Sequence, residues 1–125
     1  MQMFKFSFLI AAILFVAIDS LYLSLMKGYF LNQVKQVQKS PLKINLLATF
    51  ICYIFLITGL NYFIISQKKS PSDAFLLGLV VYGVYETTNW ALFQNWSILT
   101  VIMDTLWGAI LFALTTYLVK KIPIK

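Results

Sequence analysis

Three carboxylates lie inside long apolar stretches of this sequence: Asp19, Glu86 and Asp104. A charge at the centre of a membrane helix costs at least about 2.5 kcal/mol, so such residues are rare and are usually functional. In surroundings of low dielectric constant, carboxyl groups can hold a proton, bind a cation, or act as general acid and base. These three acids are therefore the candidate functional groups.

The acids occupy similar positions within their apolar stretches. Asp19 and Glu86 each lie seven residues before the end of a stretch, and Asp104 lies six residues after the beginning of another. At 1.5 Å per residue, each is about 10 Å inside its helix. If successive helices alternate in direction, all three depths are measured from the same face. The spacing therefore predicts a single layer of acids about 10 Å below one membrane surface.

Helical spacing also predicts polar and aromatic neighbours for the acids. Residues three, four or seven positions apart share a helix face, and one tyrosine of the second stretch falls near the same level. The predicted neighbours are Asn89, Tyr53, Tyr22, Tyr82 and Trp107. This layer contains no basic residue, so three ionised carboxylates would repel one another. Either at least one acid is protonated, or a cation is bound there, or the acids face headgroup water or an inward-reaching lysine such as Lys27.

Four apolar stretches supply the helices that position these groups. They cover residues 6–26, 44–65, 74–93 and 98–119, each near the roughly 20 residues needed to cross a bilayer. Residues 27–43 are predicted to form a polar linker. Ser40–Pro41 and Ser70–Pro71 are typical of helix N-termini. The predicted fold is all-α: one domain over residues 1–125, an integral membrane four-transmembrane-helix bundle with up-down-up-down order.

Composition supports a membrane protein. Hydrophobic residues make up 61% of the chain and charged residues 11%, with a mean hydropathy of +0.85. Soluble domains carry about 25% charged residues. The ten basic residues are lysines that flank the apolar stretches, which favours the lipid bilayer rather than nucleic acid as partner. The chain has no histidine and one cysteine, so no cofactor is identified and no internal disulfide can form.

The distribution of lysines predicts the orientation. With four membrane crossings, both termini and the loop between the second and third helices share a side that holds six lysines. The other side holds four. Lysine-rich segments face the cytoplasm, so both termini are predicted to be cytoplasmic.

Several of these residues also resemble a known family. The sequence YGVYETTN at residues 82–89, Trp96, and DTLWG at residues 104–108 are similar to motifs of a family of small predicted bacterial membrane proteins, classed as a domain of unknown function. The resemblance covers nearly the whole chain and implies four helices without implying an activity. Glu86 replaces the family's usual aspartate and Tyr22 its usual tryptophan, and both changes preserve the chemistry.

Three functions fit the acid layer. The first is a proton- or cation-binding site of the transport type. The second is a membrane enzyme that acts on a lipid or isoprenoid by acid/base or metal-assisted chemistry. The third is an accessory or assembly subunit, in which the acids only join helices by hydrogen bonds. Because four short helices enclose little volume, a homo-oligomer or a partner membrane protein is expected.

Overall fold

The computed structural model describes residues 2–40 and 43–122, and all regular structure in these residues is helical. The all-α prediction is therefore confirmed. The five helices, in chain order, are α1 (Gln2–Leu25), α2 (Lys27–Gln38), α3 (Leu46–Leu60), α4 (Pro71–Leu92) and α5 (Ile98–Lys121). A π-helical turn, Asn61–Ile65, continues α3.

Three segments are long and apolar enough to cross a membrane: Phe6–Leu25, Leu46–Ile65 and Ile98–Lys121. They correspond to three of the four predicted stretches. The helix α4 has 22 residues and is about 33 Å long, which also suffices to span the apolar part of a bilayer. Its composition is less apolar, because it carries Glu86 and Asn89 within its second half.

The prediction of a linker over residues 27–43 is wrong, because most of this segment forms the helix α2. Apolar residues recur at helical spacing in this segment, at Phe30, Val34 and Val37. Gln33 lies on the same helix and is buried, although glutamine is usually exposed. The segment is therefore amphipathic, and its folding depends on the surface it covers.

One of the two predicted helix starts is confirmed. The Ser70 hydroxyl accepts a hydrogen bond from the Asp73 amide at 3.2 Å, and Pro71 is the first residue of α4. The other, Ser40–Pro41, extends outside the residues that the structure describes. The helix α3 begins at Leu46, where the Asn45 side chain accepts a hydrogen bond from the Ala48 amide at 3.0 Å.

The centre of the molecule is an apolar core between α1, α3 and α5. Its members include Phe15, Ile57, Leu60, Leu111 and Phe112, all at most 5% exposed. The rings of Phe15 and Phe112 meet edge to face, with centroids 5.6 Å apart. Burial of this kind fixes which faces of the three helices meet.

The helices α4 and α5 are joined by a short turn over residues 93–97 and form the most extensive helix pair in the described residues. Glycines permit their close approach. A Cβ atom added to Gly78 would lie 2.5 Å from the carbonyl oxygen of Gly108, and Gly108 itself lies against the ring of Tyr82. The backbones of the two helices therefore come closer than larger residues would allow.

Side-chain contacts show how the helices are ordered. The helix α1 packs against both α3 and α5, and α4 packs against α5. The contacts between α1 and α3 run antiparallel, with Asp19 near Tyr53 at one end and Ser7 near Asn61 at the other. The helices α3 and α4 are consecutive in this set and have few direct contacts. Ala74 of α4 nevertheless belongs to the same core cluster as residues of α3, so the two helices meet at that end.

Candidate functional site

Asp19 lies on the buried face of α1 and joins three helices. Its Oδ2 accepts a hydrogen bond of 2.6 Å from the Tyr53 hydroxyl on α3, and its Oδ1 accepts one of 2.9 Å from the Trp107 indole on α5. The side chain is only 7% exposed. Both oxygens act as acceptors, and both donors are neutral groups.

Glu86 and Asp104 form a second carboxyl site beside it. Glu86 is 1% exposed, and its Oε1 accepts a hydrogen bond of 2.9 Å from the Trp96 indole. Its carboxyl group lies close to that of Asp104 on the adjacent helix, and Asp104 is also buried. The pair has no basic partner among the hydrogen bonds of the described residues, so two carboxyl groups face each other in surroundings of low dielectric constant.

The two carboxyl sites are neighbours. The charged groups that act on Asp104 are Glu86 and Asp19, and both are acids. Asp104 and Trp107 are three residues apart on α5, so one face of this helix serves both sites. The structure thus brings together three acids from three helices that are far apart in sequence.

The five predicted neighbours take different positions. Tyr53 and Trp107 bond directly to Asp19, as described. The ring of Tyr22 stacks on Trp107, with centroids 4.3 Å apart and planes at 3°, so it orients the indole rather than the acid. Asn89 is buried on α4, one helical turn after Tyr85. Tyr82 packs on Gly108, and its ring meets that of Phe112 edge to face at 6.2 Å.

Trp96 contacts an acid although the spacing argument did not select it. It lies in the turn between α4 and α5, and its indole reaches back to Glu86 ten residues earlier. Helical periodicity cannot relate a turn residue to a helix face. The available signal was its place in the family-like motif, directly after the helix that carries Glu86.

The chain matches a family model described as "Predicted membrane protein (DUF2177)" over residues 4–120. It belongs to this family. The resemblance found in the motifs is thereby confirmed, and the chain is a predicted membrane protein of a family without an assigned function. Comparison with curated proteins and with solved structures gives no significant match.

In this family member, α2 covers one side of the acid layer. The Gln33 amide donates to the Asn95 carbonyl at 2.8 Å and accepts a 2.6 Å hydrogen bond from the Thr100 hydroxyl. The Tyr29 hydroxyl shares a hydrogen bond of 2.7 Å with Thr100. Asp104 follows Thr100 by one helical turn, so α2 is attached directly above the carboxyl pair.

The apolar core closes the opposite side of the layer, and a lateral cleft remains. This cleft has a volume of about 320 Å³, lies between α3 and α4, and is lined by Asp19, Thr49, Cys52, Tyr53, Leu56 and Tyr82. Many outward-facing side chains of these two helices are apolar and exposed, including Phe55 and Leu76. In a bilayer, the cleft would therefore open toward lipid.

Within the described residues, no group of three or more His, Cys, Asp or Glu side chains is arranged to hold a metal ion. The arrangement consists of two buried carboxyl groups, those of Glu86 and Asp104, beside Asp19, whose oxygens accept hydrogen bonds from two neutral donors.

Proposed function

We propose that this chain is an integral membrane protein with four membrane-crossing helices, in which a carboxyl layer binds and transfers a proton. The observation that carries the proposal is that Glu86 and Asp104, two buried acids on adjacent helices, lie side by side. Two adjacent buried carboxyl groups favour holding a proton between them, and titrating carboxyl groups within helix groups are characteristic of proton relays. Asp19 would accept or return that proton as the neighbouring base.

The position of Glu86 supports the proposed fourth crossing. Asp104 belongs to α5, which is apolar and long enough to cross a membrane. Glu86 contacts Asp104, and Gly78 contacts Gly108 one turn further along α5, so α4 runs beside α5 at the same depth. With four crossings, both termini lie on one side, and the lysine count favours the cytoplasm.

The first prediction concerns the shared proton. Infrared spectra of the protein in bilayers should contain a carbonyl band from a protonated carboxyl group. The Glu86→Gln/Asp104→Asn double variant should lose this band, because both members of the pair are removed. The control Asp73→Asn changes an exposed acid at the beginning of α4 and should keep it.

Two outcomes would contradict the proposal: a spectrum of the unmodified protein without the band, or a band that survives in the double variant. The fold of each variant is checked by its helical circular dichroism and its elution in the same detergent.

Two functions could depend on such a proton. The first is a transport-type role, and the second is catalysis by a membrane enzyme. The enzyme is favoured by one observation: the layer opens sideways through the cleft, while Phe15 and Phe112 close the path through the core. A proton crossing the membrane would have to pass these rings. A substrate dissolved in the bilayer would reach Asp19 without passing them.

Proton flux separates the two roles. Vesicles containing the protein and a trapped pH-sensitive dye should show proton movement that Glu86→Gln abolishes, if the site serves transport. Flux equal to that of protein-free vesicles would exclude unassisted transport and leave the enzyme. In that case, lipid extracts of cells with the protein and with Asp19→Asn should differ in one lipid class.

We also propose that this chain forms a homo-oligomer or binds a partner membrane protein. The N-terminal half of α3 exposes Leu46, Leu47 and Phe50, each at least 64%. Lipid or a second protein surface would cover them in the membrane. Chemical cross-linking in native membranes, followed by mass determination, distinguishes a monomer from an assembly.

A further inference from the structure

We infer that the cleft between α3 and α4 binds a single-chain organic cation, of the long-chain quaternary ammonium class, with the positive charge beside Asp19. This inference goes beyond the proton-binding proposal and does not depend on it, since Asp19 is not a member of the carboxyl pair. It rests on the charge, the aromatic walls and the size of the cleft.

The charge of the cleft is negative and unbalanced. Asp19 is its acidic residue, and no lysine is part of the lining. The two groups that bond to Asp19, the Tyr53 hydroxyl and the Trp107 indole, are neutral donors. Each oxygen already accepts one hydrogen bond, and no basic residue of the lining balances this acid. A cation that needs no hydrogen bond from the site would complement this arrangement.

The aromatic walls favour the same class of ligand. Tyr53 and Tyr82 both line the cleft, one from each side. Aromatic rings attract quaternary ammonium groups through the negative faces of their π systems, and by about 2 kcal/mol or more where the site excludes water. An anionic head group would be repelled by Asp19, and a neutral one would gain only dispersion contacts.

The size and the opening of the cleft determine the shape of the ligand. Its volume of about 320 Å³ is at the lower end of the range for small-molecule sites. This space holds a head group and the first part of one chain, but not a two-chain lipid. The rest of the ligand's alkyl chain would extend outward between α3 and α4, where exposed apolar side chains would face the bilayer.

The tryptophans of the chain provide the measurement. The full-length protein is labelled with ¹⁵N in lipid nanodiscs, and its three indole N–H signals are followed while dodecyltrimethylammonium is added. The Trp107 signal should move and saturate, because this indole bonds to Asp19. Trp90 is 50% exposed and is not part of the cleft lining. Its signal should therefore move only by the amount that nonspecific partitioning of the added compound into the nanodisc causes.

Matched ligands and variants make the test specific. Dodecanol and dodecanoate carry the same chain without the positive charge, and each should bind at least about tenfold more weakly, because loss of a buried charge pair costs 2 kcal/mol or more. Asp19→Asn should weaken binding of the cation to the same extent. Asp73→Asn, an exposed acid outside the cleft, should leave it unchanged.

A second pair of variants decides the question if Asp19→Asn does not fold. Ala48→Phe fills the cleft without removing a hydrogen bond to Asp19, and should weaken binding at least about tenfold. Ile54→Phe adds a similar ring to an exposed position outside the lining and should have no effect.

Three results would overturn the inference: no saturable movement of the Trp107 signal, equal affinity for dodecanol, or unchanged affinity in Ala48→Phe. The Trp96 signal reports on Glu86 in the same spectra. Failure of this inference can therefore be distinguished from failure of the proton-binding proposal.

Discussion

At the scale of single residues, the acids are held by donors rather than by basic partners. Tyr53 and Trp107 donate to Asp19, and Trp96 donates to Glu86. Neutral donors satisfy a carboxyl group without fixing its protonation state as strongly as a lysine would. This is the property that a proton-exchanging group requires, because both of its states must remain accessible.

The importance of one donor can be measured directly. Tyr53→Phe removes the hydroxyl that bonds to Asp19, and should lower the free energy of unfolding by about 1–2 kcal/mol. The control Tyr62→Phe, at an exposed position beyond the end of the same α-helix, should change it by less than about 0.5 kcal/mol. Denaturation in mixed detergent micelles provides the measurement. Equal effects of the two substitutions would show that the Asp19 hydrogen bond does not contribute to stability.

At the scale of helices, the pair of α4 and α5 depends on individual glycines. Gly78 and Gly83 lie on the same helix but have different surroundings. A Cβ atom on Gly78 would overlap Gly108 and Phe112, whereas one on Gly83 would lie 3.7 Å from Thr105, which is an ordinary contact. Two glycines that look equivalent in sequence therefore have different roles.

Alanine substitutions at these glycines should have opposite signs. Gly78→Ala should destabilise the protein by about 1–3 kcal/mol, because the overlap forces α4 and α5 apart. Gly83→Ala should stabilise it by about 0.5–1 kcal/mol, since alanine loses less conformational freedom in a helix. Gly59→Ala, with open space around the new Cβ, is a second control. The free energy of unfolding in detergent is the readout, and a stabilising Gly78→Ala would refute the packing argument.

The helices also differ in how well they could be predicted from the sequence. Apolar stretches identified the long helices well, because burial in lipid depends on composition over about 20 residues. The helix α2 is too polar to be found this way, and it is held by Gln33 and Tyr29 bonding to the turn and the beginning of α5, more than 60 residues away. The helical spacing of its apolar residues was available in the segment, but these distant contacts were not.

At the scale of the whole molecule, the spacing predicted that Asp19, Glu86 and Asp104 lie at one level, and the described coordinates place them as neighbours. Depth follows from counting residues along straight helices. The lateral arrangement of the helices does not follow from such counting, because it depends on which side chains pack together. The cleft lined by α1, α3 and α4 could therefore not be derived from the sequence.

The position of α5 has a consequence for the order of assembly. It follows the other four helices in the chain, yet it carries Trp107 for Asp19 and Asp104 for Glu86. Asp19 and Trp107 are 88 residues apart, which at 5–20 residues per second corresponds to roughly 4–18 s of synthesis. During this interval, the earlier acids enter the membrane without their final partners. Full pairing of the acids therefore requires α5, and without it Asp19 would keep only the hydrogen bond from Tyr53 and Glu86 only the one from Trp96.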